Sequence, residues 1–196
     1  MSTTTSTPRL SARERLLAAA DELFYAEGVH SVGIDRIIEH AGVAKASLYN
    51  TFGSKDELVR AYLSARHDLR RERITAAVSA RETPRERLLA IFDVLEAAIA
   101  APTFRGCAFA KASAEADHAG TVREVTDAQR GWVRALLTDL ARDAGAASPD
   151  VLAQQLVMLY DGATTSAQLD GDKHAAVVAR QVAETLVDAA LTSPAG

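Results

Sequence analysis

The chain has 196 residues, a net charge of −4, 40 alanines and only 5% aromatic residues. That length folds without disulfides or structural metals, and the single cysteine, Cys107, excludes an intrachain disulfide. The acidic balance excludes a protein that coats nucleic acid by bulk charge. It leaves room for a local basic face, because residues 1–75 carry a net +1 and residues 76–196 a net −5.

Residues 1–9 are Ser/Thr-rich and read as a disordered tail, neither a signal peptide nor a transit sequence. No run of roughly 18 apolar residues occurs, so nothing is expected to span a membrane and a soluble cytoplasmic protein is expected. Alanine is the strongest helix former, and no segment sustains strand alternation, so the expected fold class is all-α. Helix starts are marked by Ser11-Ala12-Arg13-Glu14, Ser54-Lys55-Asp56-Glu57 and Thr83-Pro84-Arg85-Glu86. Each fits a capping box, in which the Ser/Thr oxygen takes the N3 amide and the Glu reaches back. Ser148-Pro149 gives a similar start, and Thr121 to Glu124 a weaker fourth box.

From these signals helices are expected at about 11–27, 34–41, 44–51 and 54–80. Further helices are expected at about 84–100, 104–117, 121–144, 149–169 and 174–192. The first carries the apolar stripe Leu16, Ala20, Leu23 and Phe24 and stops at Gly28. Ile34, Ile37, Ile38 and Ala41 face inward from the second, which ends at Gly42. Residues 81–83 are polar ahead of Pro84, and the domain boundary is expected at or before this joint, at 70/71.

Two short helices joined by Ala41-Gly42-Val43 have the form of a helix-turn-helix. On the third helix, Ala44, Leu48, Thr51 and Phe52 project to one side and can pack inward. Lys45, Ala46, Ser47, Tyr49 and Asn50 project to the other. That outer face has a cation, a small residue, a hydroxyl, a phenol and an amide, and no acid. These groups bond base edges and phosphate oxygens in a major groove. Lys55 stands in the first turn of the fourth helix, where free amides and the helix dipole favour a phosphate. Capping alone would also explain that turn.

The run from Gly42 to Lys55 resembles the recognition signature of TetR-type bacterial regulators, and the resemblance covers about residues 11–60. It implies an N-terminal three-helix helix-turn-helix domain over 10–70. A larger helical domain for ligand binding and dimerisation would follow over 71–196. Lys45, Ala46, Ser47, Tyr49, Asn50 and Thr51 would line the groove, with Tyr49 and Lys55 on backbone phosphates. The implied partners are double-stranded operator DNA, a small-molecule effector and a second copy of the chain. No cofactor, metal or catalytic residue is implied. The implied function is a ligand-responsive regulator, most readily a repressor, that binds a palindromic operator as a dimer. Two departures stand out: Gly33 replaces the usual Ser/Thr cap, and Asn50-Thr51 replaces the usual aromatic/histidine pair.

The resemblance further implies a cavity in the second domain. Its candidate lining residues are His67, Phe104, Cys107, Phe109, Trp132 and Tyr160, with Phe92 and Met158 beside them. Each would serve equally as ordinary core. Apolar stripes at Leu152, Leu156, Leu159, Ala163, Ala167 and at Ala175, Val178, Val182, Leu186, Ala189 offer a pairing surface, or face the subunit's own core. An enzyme is the first rival reading. No two histidines fall at i, i+3 or i, i+4, and no glycine-rich phosphate loop follows a strand. The second rival is a helical interaction protein whose helix-turn-helix does not bind DNA.

Overall fold

A computed structural model describes residues 10–116 and 120–192. The tail expected over 1–9 lies outside the described residues. Among them the helices are α1 (Ala12–Glu27), α2 (Ile34–Ala41), α3 (Lys45–Phe52), α4 (Lys55–Ser79) and α5 (Pro84–Ala100). They continue with α6 (Ala108–Glu115), α7 (Thr121–Asp143), α8 (Pro149–Leu169) and α9 (Ala175–Thr192). No strand occurs among the described residues, and no helix is long and apolar enough to cross a membrane. The all-α reading holds.

Side-chain caps open α1, α4 and α5. Ser11 and Thr83 each form the full reciprocal box, with Glu14 and Glu86 respectively. Ser54 forms only half of one. Its hydroxyl accepts the Glu57 amide at 3.1 Å, but the Glu57 carboxylate turns to Arg60 at 3.3 Å. The other two expected starts use no side-chain cap. Gly120 rather than Thr121 precedes α7, and Ser148 leaves its hydroxyl off the α8 amides. The helix expected from 104 begins at Ala108. The Arg105 amide and the Gly106 carbonyl are engaged by the Tyr25 phenol instead of a helical turn.

Burial divides the molecule into two apolar clusters that meet along α4. The first gathers Leu16, Leu23, Phe24, Ile37, Leu48, Leu58, Tyr62 and Leu63 from α1 to α4. The second centres on α5, where Leu88, Ile91, Phe92 and Leu95 meet Ile74 of α4 and residues of α7, α8 and α9. Helix α4 runs unbroken through both, so residues 70 and 71 sit inside one helix. Helix α6 crosses the division. Its Ala108, Phe109 and Ala112 belong to the N-terminal cluster although they follow α5 in the chain.

Candidate DNA interface and ligand cavity

The turn between α2 and α3 is set by Gly42, whose φ of 61° and ψ of 43° put it in the left-handed region. There the Val43 amide donates to Ile38 and the Gly42 amide to Glu39, both at 3.1 Å. This pairing satisfies the last carbonyls of α2. Arg15 of α1 secures the turn from outside, donating to the Ala41 and Gly42 carbonyls at 3.2 and 2.9 Å. Nothing in the sequence flagged Arg15, which reads there as a surface charge on an amphipathic helix.

Leu48 is wholly buried and fixes the rotation of α3. Lys45, Ala46, Tyr49, Asn50 and Thr51 are then exposed, and Ser47 is half-buried. Two residues expected inside are outside: Ala44 and Thr51 are both exposed, and only Phe52 joins Leu48, half-buried. Ala44 precedes the first helical turn, so the 100° projection does not apply to it. The Thr51 hydroxyl donates back to the Ser47 carbonyl at 2.6 Å. Lys45 is not idle in the free chain. Its Nζ lies 2.9 Å from Asp35 of α2, and that hydrogen bond raises its pKa. Lys55 opens α4 half-buried, its Nζ 3.4 Å from the His30 carbonyl.

A cavity of about 520 Å³ lies in the second half of the molecule, within the usual size for a small-molecule site. Residues of α4, α6, α7 and α8 line it. Cys107, Phe109 and Tyr160 are in its wall, whereas His67, Phe104 and Trp132 are not. The His67 ring meets Trp132 edge-on at 5.6 Å, and Phe104 packs against the second core. Phe92 is fully buried in that core, and Met158 stands in solvent on α8. Arg70, Thr126, Gln129 and Thr164, which line the cavity, were not legible as lining. A polar residue on a long helix looks like a solvated one until its neighbours are known.

The cavity and the core formed by α1 to α4 are joined through α6. Phe109 lines the cavity and belongs to the N-terminal core. Around it the Tyr25 hydroxyl donates to the Gly106 carbonyl at 2.9 Å and accepts from the Arg105 amide at 2.8 Å. Lys111 donates to the Tyr25 carbonyl at 2.7 Å. At the far end of α6 the Glu115 carboxylate accepts the His30 amide at 2.7 Å. His30 is the residue whose carbonyl faces Lys55.

Comparison with known proteins agrees with this architecture. Residues 16–62 match the family model described as bacterial regulatory proteins of the tetR family. Residues 84–183, more than half of the chain, match the tetracyclin repressor-like C-terminal domain. The chain belongs to the TetR family. Its members are helix-turn-helix transcriptional regulators, and the curated relatives it matches are named as such. A TetR-family transcriptional regulator from Streptomyces coelicolor is 35% identical and superposes with a TM-score of 0.82, over 94% of this chain and 96% of that one. The transcriptional repressor NemR of Escherichia coli is 29% identical over 80% of this TetR-family chain and 84% of its own length. The transcriptional activator FasR of Mycolicibacterium smegmatis is 39% identical, but over 45% of this chain and only 42% of its own length. The chain thus covers less than half of the first of these curated relatives.

Proposed function

We propose that the protein is a ligand-responsive transcriptional repressor. It binds a palindromic operator as a dimer through α3 and is released by a small molecule held between α4, α6, α7 and α8. The observation that carries the DNA half is the exposed, acid-free face of α3, held outward by Leu48. Lys45, Ala46, Ser47, Tyr49, Asn50 and Thr51 supply base and phosphate contacts, and Lys55 a phosphate contact from the start of α4.

Dimer formation is supported by what α8 and α9 leave uncovered. Among the described residues, five of the eight exposed large apolar side chains are on these helices: Val151, Met158, Leu169, Val178 and Val182. Such a patch marks a contact surface. The expected stripes contribute Val178 and Val182 to it. Leu152, Leu156, Ala163, Ala167 and Ala175 are buried in the subunit's own core.

Release follows from α6, which touches both the cavity and the first core. A ligand that pushes Phe109 also shifts the α1–α6 contacts, and thereby the seat of the reading head. It acts only through a difference in affinity between the two arrangements. NemR, a repressor by name, matches over most of its length including the second domain, which favours repression over activation. Cavity and interface contain no group asked to do chemistry, so an enzyme is not proposed.

Selection of bound sequences from random DNA, followed by footprinting, tests this. Two half-sites related by a dyad, roughly 10 base pairs apart or a multiple, are expected. An undivided or sequence-indifferent footprint rejects the reading.

A further inference from the structure

The cavity is more polar and more cationic than packing requires. Among the described residues Thr126, Gln129 and Thr164 are the buried polar side chains, and all three line this one cavity. Thr126 shares a hydrogen bond with Ser113 at 3.3 Å, and Thr164 donates to the Tyr160 carbonyl at 2.9 Å. The Gln129 amide and the Tyr160 phenol, both in the wall, have no hydrogen-bond partner among the described residues. Polar groups so placed are costly unless a ligand or water satisfies them.

The charges are unequal too. Arg70, Arg123, Arg130 and Arg134 line the cavity with two acids, Asp127 and Asp161. Both acids are taken: Arg123 holds Asp127 at 2.6 Å and Arg130 holds Asp161 at 3.0 Å. Arg134 is exposed to solvent, but Arg70 is half-buried. Its guanidinium lies 5.5 Å from the Phe109 ring centre, and the Cys107 thiol shares the same wall. No carboxylate pairs with it among the described residues. An arginine keeps its proton in a protein, so this charge must be matched from elsewhere.

We propose that the cavity takes a small organic monoanion: a carboxylic acid with an aromatic or branched apolar body, its carboxylate on Arg70. The body lies against Phe109, Val133 and Val157, which share the wall. One charge fits better than two, because Arg134, the other lining guanidinium without a carboxylate, stands in solvent and leaves Arg70 as the half-buried cation to be matched. A guanidinium grips a carboxylate through two parallel hydrogen bonds. Gln129 and Tyr160 add neutral donors; burial pushes the Tyr160 phenol above its ordinary value, so it keeps its proton. This assignment rests on the regulator reading above.

The test compares three matched compounds by titration calorimetry on the full chain: 1-naphthylacetate, its amide, and 2-(1-naphthyl)ethylamine. The acid should bind about tenfold tighter than the amide, and the amine more weakly than either. Arg70→Gln should erase the acid's advantage, and Arg70→Lys should keep part of it. The proposal is overturned if the amide or amine binds as tightly as the acid, if none of the three binds, or if Arg70→Gln keeps the preference. Operator affinity measured alongside separates this from the regulator reading. A neutral or cationic compound that releases DNA sinks the anion alone; a chain with no sequence-specific DNA binding sinks the regulator.

Discussion

At the scale of single residues, the interface makes its demands through a few side chains. Truncating Tyr49 or Asn50 to alanine should weaken operator binding by roughly 1–3 kcal/mol, measured by anisotropy. Lys55→Ala should weaken all sequences alike and lower the salt slope by about one counterion; an unchanged slope rejects its phosphate role. Asp35→Asn should act in the opposite direction. It frees Lys45 from its partner 2.9 Å away, so binding should tighten at low salt, and the gain should fade as salt screens the pair. Weaker binding would mean that Asp35 aims Lys45 at the DNA. Gly33 caps α2 without a side chain, at φ −80° and ψ 158°, and a Cβ there meets nothing within 4 Å. Gly33→Ser should therefore stabilise the chain by roughly 0.5–1 kcal/mol in thermal unfolding. Burial holds the His67 imidazole below its ordinary value of 6.5. The unfolded chain then takes up that proton more readily, so the contribution of neutral His67 is complete above 6.5 and declines as pH falls below it. His67→Gln should flatten the dependence of Tm on pH in that window.

At the scale of elements, the helices most open to sequence reading were those with covalent punctuation at their ends. Gly42 ends α2, while Pro84 and Pro149 open α5 and α8, and these three match the expected spans. Where the end depends on a partner far along the chain, local reasoning failed. The start of α6 is fixed by Tyr25, some eighty residues earlier. The outward face of α3 was legible because Leu48 and Phe52, four residues apart, must go in. The cavity was half legible: aromatic residues could be nominated, but only the packing of α4, α6, α7 and α8 around the cavity separates Tyr160 and Phe109 from Phe104 and Trp132. Arg70 carried no signal, since a cation on α4 is expected on any exposed face. The α1–α6 contacts are the element whose removal is most informative. Tyr25→Phe deletes the hydroxyl that engages Arg105 and Gly106 while keeping the ring under Arg66. It should leave operator affinity nearly unchanged without ligand and reduce the ligand's effect upon it. Equal ligand response in both proteins rejects a role for α6 in coupling.

At the scale of the molecule, two cores share one long helix, and the second leaves an apolar surface open on α8 and α9. Met158→Glu combined with Val182→Glu puts two charges into the proposed contact at positions exposed in the subunit. The variant should fold, because neither residue supports the core. It should elute at half the mass of the parent in light scattering, and it should lose the palindromic site while keeping weak, salt-sensitive DNA binding. A dimer that survives both charges moves the contact elsewhere.

Gly28 shows how tightly α1 and α6 are joined. It terminates α1 at a φ of 98°, and the Glu115 carboxylate occupies the space where its Cβ would stand. One position thus serves as the stop of one helix and the socket of another. The routine engineering step of stiffening a chain by replacing a glycine would, at this spot, unplug α6. Stability and responsiveness therefore rest together on a single atom, the one that glycine lacks.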